Sequence, residues 1–179
     1  QDTGFVSSVL SNADGTFSAH PVVTITFPTV QTNLIPGVTI KWSEAFDECA
    51  TAFTVTAYNG ASVAATESVT GNTRNITFVE MDISSYDKIE VEIAEWCLPY
   101  RRARIEEIYL GVIAVFGKSD LMGYEHSQYA DLLSTELPES KVVFSISNVD
   151  SIWNPDNPTG SIKYLLERQE ITVRYGYRI

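Results

Sequence analysis

The chain has 179 residues, of which 44% are hydrophobic and 20% are charged, the profile of a folded globular protein rather than a disordered one. Its 23 acidic and 12 basic side chains give a formal net charge of -11 at pH 7, which disfavours nucleic acid and anionic lipid as partners. No run of about 18 apolar residues occurs, so we expect no membrane-spanning helix. The chain begins at Gln1 rather than Met, which is typical of a fragment or a processed chain.

A two-residue hydrophobic period dominates the chain up to about residue 96. The stretches "PVVTITFP", "VTIKWS", "AFTVTAYNG" and "YDKIEVEIAEW" each alternate apolar and polar side chains, the pattern of strands with one buried face. The residues predicted to face the core are Val23, Ile25, Phe27, Val38, Ile40, Trp42, Phe53, Val55, Ala57, Ile89, Val91 and Ile93.

Turn residues separate these strands. Asn59 and Gly60 form the strongest short-range hairpin signal, and "SNADG", "VTGN", "ISSYD" and "WNPDNPTG" are further turn clusters. Short strands at roughly even spacing with polar turns predict a mainly β fold, an antiparallel β-sandwich.

The stretch "IEEIYLGVIAVF" is apolar on both faces after Glu107, which predicts a central strand covered on both sides. Ile105 and Ile108 differ in parity, so strict alternation fails between them. A bulge near Glu106 and Glu107 would bring both isoleucines to the core.

The last third of the chain differs in pattern. "GSIKYLLERQ" places Ile162, Leu165 and Leu166 at helical spacing behind Ser161, a suitable N-cap, and "KVVFSIS" and "EITVRYGYRI" predict strands around it. We therefore predict a domain boundary near Gly117. We expect residues 1–117 to form the sandwich domain and residues 118–179 to form a strand-turn-helix-strand segment. Two alternatives stay open for this segment: it packs against the sandwich, or it is part of a further domain.

Sequence motifs for catalysis are missing. His20 and His126 lie in loop-like surroundings outside any catalytic motif. The adjacent Glu106 and Glu107 point to opposite faces of a strand unless the bulge intervenes. We therefore expect no enzyme activity, no catalytic residues and no cofactor.

Two further groups of residues were considered as metal or redox sites. Glu44, Asp47 and Glu48 could bind a hard cation but lack EF-hand spacing, so we expect no metal. Cys49 and Cys97 are too few for a zinc site or a disulfide framework. Two buried thiols are the favoured interpretation, and a bridge between them stays open.

A loop with aromatic and basic residues is the best binding candidate. Trp96, Tyr100, Arg101 and Arg102 flank Pro99 between two predicted strands, where sandwich folds usually bind ligands. Aromatic faces stack on sugar rings, and arginine donates paired hydrogen bonds to hydroxyls or carboxylates. The alternative is structural: Trp96 caps the core, and the arginines pair across strands with Glu90, Glu92 or Glu106.

The motifs "LIPGVTIKWSEAFDECATAFTVTAYNG" and "YDKIEVEIAEW…RRARIEEIYLG" resemble a discoidin-like (galactose-binding-like) jelly roll over residues 1–117. The tail "ELPESKVVFSISNVDSIWNPDNPTGSIKYLLERQEITVRYGYRI" resembles prophage tail-associated proteins of Firmicutes. Together these resemblances imply a virion structural protein with a sugar-binding-like module, located in a phage tail, or in the bacterial cytoplasm before assembly. Its partners would be other tail proteins or a cell-surface glycan, and a homo-oligomer stays open.

A second hypothesis is a carbohydrate-binding module of a secreted or cell-surface enzyme. It predicts an exposed aromatic platform at Trp96 and Tyr100, or at Trp42. A glycosidase ranks last, because two inward-facing carboxylates are not supplied by the pattern.

Overall fold

The computed structural model describes residues 4–113, 121–129, 139–148, 151, 153–154 and 156–157. The chain divides into two compact units, Gln1–Ile113 and Ala114–Ile179, which are described separately below. The described residues are mainly β, and no helix among them is long and apolar enough to cross a membrane. The strands are β1 (Phe5–Leu10), β2 (Val22–Gln31), β3 (Ile35–Lys41), β4 (Ala50–Asn59), β5 (Ser62–Thr70), β6 (Ile76–Ile83), β7 (Tyr86–Trp96), β8 (Arg102–Ile105), β9 (Glu107–Leu110), β10 (Leu121–Tyr129) and β11 (Glu139–Ile146).

Three antiparallel sheets build the first unit. One sheet has the order β2-β7-β4-β5, a second has the order β6-β3-β9, and β1 pairs with β8. In the four-stranded sheet Val55 lies opposite Val91 and Phe53 lies opposite Ile93, so the predicted apolar faces of β4 and β7 coincide. This match fixes the register, because a slip by one residue would turn every apolar side chain outward.

The two larger sheets share one hydrophobic core. Val38 and Ile40 of β3 and Val55 of β4 are fully buried in it, and the Trp42 ring meets the Phe53 ring edge-on at 4.9 Å. Each large side chain buried in this way contributes about 1.5–3 kcal/mol. The predicted core residues of β3, β4 and β7 are confirmed, whereas those of β2 are half-buried. The arrangement is consistent with a β-sandwich.

The predicted hairpin at Asn59 and Gly60 is confirmed. It joins β4 to β5, and Gly60 adopts a φ of 58°, a left-handed conformation that glycine enters without steric cost. The Gly60 N–H also donates to the Asp87 carboxylate at 3.0 Å, which holds the turn against the start of β7.

The prediction of a central strand after Glu107 is wrong. β9 ends at Leu110, is only half-buried, and lies at the edge of the described three-stranded sheet. The strand covered on both faces is β3, where Thr39 is fully buried together with its apolar neighbours. Residues 111–113 lie over the face of β3 that strict alternation predicted to be exposed to solvent. On that face the Thr39 hydroxyl donates to the Gly111 carbonyl at 2.6 Å.

The irregularity predicted near Glu106 is confirmed. The strand breaks at Glu106 between β8 and β9, the Glu106 N–H donates to the Lys41 carbonyl at 2.9 Å, and both Ile105 and Ile108 contact the core. Because Glu106 lies outside the strand pairing, Ile105 and Ile108 both face the core although they differ in parity.

The described part of the second unit is an antiparallel hairpin of β10 and β11, with Tyr124 opposite Phe144. The strand predicted from "KVVFSIS" is confirmed. His126 belongs to β10, so its predicted loop setting is wrong. The predicted helix after Ser161, the strand "EITVRYGYRI" and the boundary near Gly117 lie outside the described residues and stay predictions.

Candidate functional site

A shallow depression of about 180 Å³, here named the arginine groove, opens on the surface of the first unit. Its volume is below the roughly 300–1,000 Å³ of pockets that enclose drug-sized ligands, so it suits one small group of a larger ligand. The residues that line it are Leu10, Phe46, Glu48, Tyr100, Arg101, Arg102 and Arg104.

The alternation of β8 brings two arginines into the groove. Ala103 and Ile105 are buried in the core, so Arg102 and Arg104 face outward from the same strand. β1 adds the apolar neighbour, because Leu10 lies opposite Arg102 and is exposed. The pairing of β1 with β8 thus builds a surface that is partly cationic and partly apolar.

Buried Ser7 ties β8 to β1 at this point. Its hydroxyl donates to the Val9 carbonyl at 2.6 Å and accepts the Ala103 N–H at 2.9 Å. The Ser7 carbonyl accepts a hydrogen bond from Arg102 Nη1 at 3.0 Å. The Arg102 guanidinium is therefore oriented by the main chain, which leaves its other N–H donors for a ligand.

Buried Ser11 holds the loop that carries Tyr100. The Ser11 hydroxyl donates to the Leu98 carbonyl at 2.8 Å and accepts the Arg101 N–H at 3.0 Å, and Ser11 N–H donates to the Arg101 carbonyl at 2.8 Å. The Tyr100 N–H donates to the Ser11 carbonyl at 3.1 Å. Four hydrogen bonds to one residue thus fix the loop on the groove's rim.

Tyr100 itself is 66% exposed and has a φ of 56°, the left-handed region that a bulky residue rarely enters. Such conformations persist only where the surrounding structure enforces them, and they concentrate at functional sites. The Ser11 contacts supply that enforcement here. The loop therefore presents an aromatic ring to solvent at a cost in backbone strain.

Glu48 lies beneath the groove as a nearly buried carboxylate, 3% exposed. It accepts a hydrogen bond from Trp96 Nε1 at 3.0 Å, and its other oxygen lies 3.5 Å from Arg101 Nε. The charge of Arg101 is thus largely compensated within the protein.

The turn that carries Glu48 also presents Phe46. Ser43 and Glu48 exchange backbone hydrogen bonds of 3.1 Å, which closes a turn whose residue Asp47 has a φ of 53°. Phe46 is 54% exposed at the tip, and the Arg104 guanidinium lies over its ring at 4.4 Å. This cation–π contact orients Arg104 without neutralising it.

Arg102 and Arg104 carry the positive charge that a ligand in the groove would contact. Among the described residues, neither takes part in a salt bridge, whereas Arg101 pairs with Glu48. The groove is therefore a local cationic site on a chain of formal net charge -11. Unpaired arginines beside exposed aromatic rings are suited to anion recognition and to ring stacking rather than to proton transfer.

Three of the four predicted site residues line this groove: Tyr100, Arg101 and Arg102. Trp96 does not present a face to solvent. It is 2% exposed and meets the Trp42 ring edge-on at 6.0 Å, so the predicted aromatic platform at Trp96 or Trp42 is wrong and the capping alternative for Trp96 is confirmed.

Trp96 is buried because the pairing of β4 with β7 shifts in register at Ala52. Strict alternation from Ile93 would turn Trp96 outward, but the irregularity places Glu95 outside and Trp96 inside.

The structural alternative also predicted that the arginines pair with Glu90, Glu92 or Glu106, and this prediction is wrong. These glutamates pair with Lys88, His20 and Lys41 instead.

Sequence reasoning missed Leu10, Phe46, Glu48 and Arg104 as groove residues. Arg104 could have been found, because it lies two residues after Arg102 and shares its face on any strand. Leu10 and Phe46 carry no local signal, since only the long-range pairing of β1 with β8 and the turn before β4 bring them to this surface.

The carboxylates considered for a metal diverge. Glu44 pairs with Lys41 at 2.9 Å, Asp47 accepts from the Asn75 side chain at 2.5 Å, and Glu48 faces Trp96. Within the described ranges, no three His, Cys, Asp or Glu side chains group as metal ligands. The adjacent glutamates 106 and 107 also have different partners. Glu106 pairs with Lys41, and Glu107 accepts a hydrogen bond from the Tyr109 hydroxyl.

Cys49 and Cys97 are free thiols that lie next to each other. Cys49 is buried and Cys97 is half-buried, so the prediction of two buried thiols is confirmed for Cys49 only. The Cys97 N–H donates to the Cys49 carbonyl at 3.0 Å, and the Cys49 N–H donates to Cys97 Sγ at 3.3 Å. Burial, reinforced by the neighbouring Cys97, raises the pKa of the Cys49 thiol to about 11. Cys49 is therefore protonated and unreactive at neutral pH.

Comparisons with protein-family models, with curated proteins and with solved structures find no match to this chain. The resemblances to discoidin-like domains and to prophage tail proteins therefore stay hypotheses from the sequence. What the chain does must be inferred from its own residues, and the arginine groove is the feature that supports such an inference.

Proposed function

We propose that this chain is a non-enzymatic structural protein of a phage or prophage tail, with a carbohydrate-binding-like module in residues 1–117. The observation that carries the binding part is the arginine groove. Arg102 and Arg104 stand there without an acidic partner among the described residues, beside the exposed rings of Phe46 and Tyr100.

The finer fold belongs to the same proposal: a jelly roll of the galactose-binding-like kind, followed by a strand-helix-strand extension. Facing antiparallel sheets over one core support it. The position of the groove supports it as well, because the turn before β4 and the loop after β7 supply its rim, as loops do in sandwiches that bind ligands.

Ligand binding would use two kinds of contact. The exposed Tyr100 ring would stack on the apolar face of a sugar, while Arg102 and Arg104 would donate hydrogen bonds to its oxygens. Both contacts are held in place beforehand, since Ser11 fixes the Tyr100 loop and Ser7 fixes Arg102. Little ordering entropy would then be lost on binding.

The tail assignment is supported by the resemblance of the C-terminal sequence to prophage tail-associated proteins. The partners of the chain would then be other virion tail proteins, or further copies of the chain. The chain would then be located in the virion, or in the bacterial cytoplasm before assembly.

The test is a glycan array probed with the purified chain and three variants. Wild type should bind a subset of glycans, and Arg102→Ala and Tyr100→Gly should lose that signal while cooperative thermal unfolding shows that both variants are folded. Arg74→Ala is the matched control, because Arg74 is an exposed arginine outside the groove. Absence of binding by the wild type, or equal binding by all four proteins, would refute a carbohydrate-binding role for the groove.

Trp96→Ala is unsuitable for this test, because Trp96 is buried and its removal would disturb the core. For the tail assignment, the informative observation is the gene's neighbourhood. Genes for a tail tube and a tape measure support the proposal, whereas a signal peptide and a hydrolase domain on the same polypeptide contradict it.

A further inference from the structure

We infer that the arginine groove selects an acidic sugar, one whose carboxylate binds between Arg102 and Arg104. This inference rests on the proposed carbohydrate-binding function and names the class of ligand for the same site. It goes beyond that function because a neutral sugar would satisfy the stacking contact with Tyr100 equally well.

Charge compensation inside the groove is the first argument. Of the three arginines that line it, Arg101 is paired with the nearly buried Glu48 at 3.5 Å. Arg102 and Arg104 have no carboxylate partner among the described residues. A neutral ligand that covered them would desolvate two like charges without compensation, which is unfavourable. A carboxylate supplies the missing charge and accepts paired hydrogen bonds.

Orientation of the two guanidiniums is the second argument. Arg102 is anchored through Nη1 to the Ser7 carbonyl at 3.0 Å, and Arg104 lies over the Phe46 ring at 4.4 Å. Because both belong to β8 at positions two apart, they project from the same face of the strand. Two oriented planar donors on one face are suited to a planar acceptor with two oxygens.

The acidic net charge of the whole chain does not oppose this selection. Screening in physiological salt reduces interactions between exposed charges beyond about 8 Å, whereas contacts in the groove occur at hydrogen-bond distance. The volume of about 180 Å³ accommodates one acidic sugar residue, and the neighbouring sugars of the glycan would extend into solvent.

The test uses matched pairs of ligands. An array carries glycans that contain galacturonate, glucuronate or sialate, each printed beside the counterpart whose carboxyl is reduced to a neutral hydroxymethyl group. The wild-type chain should bind at least one acidic glycan roughly 10- to 100-fold more tightly than its reduced counterpart, the range expected for a charge-assisted hydrogen bond. Titration calorimetry on that pair then measures the ratio.

Variants separate a specific contact from general attraction. Arg102→Ala and Arg104→Ala should each reduce binding of the acidic glycan toward that of its reduced counterpart. Arg102→Lys should give an intermediate ratio, since lysine keeps the charge and loses the planar fork. Arg74→Ala should leave the ratio unchanged. Thermal unfolding midpoints within about 2 °C of wild type show that the variants fold.

Each remaining outcome overturns the inference in a recognisable way. Equal binding of acidic and reduced glycans refutes the choice of an acidic sugar and leaves the proposed function standing. Binding of no glycan at all refutes both. The chain could also bind no glycan and instead self-associate as its concentration rises. If Arg102→Ala and Arg104→Ala abolish that self-association, the groove is a protein interface instead.

Discussion

The indole N–H of Trp96 donates to the Glu48 carboxylate at 3.0 Å, and both side chains are almost completely buried. The same carboxylate lies 3.5 Å from Arg101 Nε at the surface. One acidic residue therefore links the hydrophobic core to the rim of the arginine groove. Its loss should affect stability and the rim together.

Replacement of Glu48 by alanine should lower the free energy of unfolding by about 1–3 kcal/mol, because the Trp96 N–H would be left buried without an acceptor. Urea denaturation measures the change. Glu67→Ala is the matched control, since Glu67 is exposed on β5, and it should stay within about 0.5 kcal/mol of wild type. Equal effects of the two substitutions would contradict the importance of this contact.

Ser11→Ala should loosen the loop of residues 98–101. It removes the donor to the Leu98 carbonyl and the acceptor of the Arg101 N–H, so we expect a loss of about 1–3 kcal/mol and faster hydrogen exchange at the Arg101 amide. Ser8→Ala, an exposed serine three residues earlier in β1, serves as the control and should change neither quantity. An unchanged exchange rate at Arg101 in Ser11→Ala would refute the positioning role of Ser11.

At position 100 a glycine variant should be more stable than an alanine variant, which is the reverse of the usual order of stability. With a φ of 56°, alanine keeps the steric cost of the left-handed region, whereas glycine removes it. We therefore expect Tyr100→Gly to be more stable than Tyr100→Ala by about 1 kcal/mol. Thermal unfolding of the two variants decides this, and an alanine variant at least as stable as the glycine variant would show that the loop is not held in this conformation.

Gly37 in β3 should not tolerate a side chain. A Cβ at this position would come within 2.0 Å of the Val79 carbonyl oxygen, a backbone atom that cannot move aside, so Gly37→Ala should lower the unfolding midpoint strongly. Gly60→Ala meets no atom within 4 Å and should cost only about 1 kcal/mol for its positive φ. Similar midpoints for the two variants would contradict the close pairing of β3 with β6.

The Cys49 thiol should make stability depend on alkaline pH. Its pKa is raised by burial from an ordinary value of 9.0 to about 11, so the unfolded chain loses this proton first as pH rises. Stability from this group is complete below about pH 9 and is lost as pH rises between about 9 and 11. Chemical denaturation at several pH values should show this decline in wild type and a smaller one in Cys49→Ala. Parallel declines would contradict the shift.

The strands of the first unit were predictable because their evidence is local. Alternation in "YDKIEVEIAEW" requires Ile89, Val91 and Ile93 to share a face, and the turn at Asn59 and Gly60 needs only its two residues. Strict alternation failed at Trp96, where a register shift between β4 and β7 inverts the facing of the side chain. It also failed at Thr39, which is covered by residues 111–113.

The groove was only partly predictable for a related reason. Tyr100, Arg101 and Arg102 are neighbours in sequence, so their proximity needs no folding. Leu10 and Phe46 reach them only through the pairing of β1 with β8 and the turn closed by Ser43 and Glu48. Contacts between residues so far apart in the chain have no signature in a single sequence, because many pairings of amphipathic strands would bury the same apolar faces.

The most direct test of the central claim is a map of the ligand contact on the intact chain. Backbone amide chemical shifts of the labelled protein are recorded with and without the glycan that binds best on the array. Binding at the arginine groove predicts the largest changes at Phe46, Tyr100, Arg102 and Arg104, with the amides of β5 unaffected. Changes centred on β5 or another surface away from the groove, or no changes at saturating glycan, would contradict the assignment.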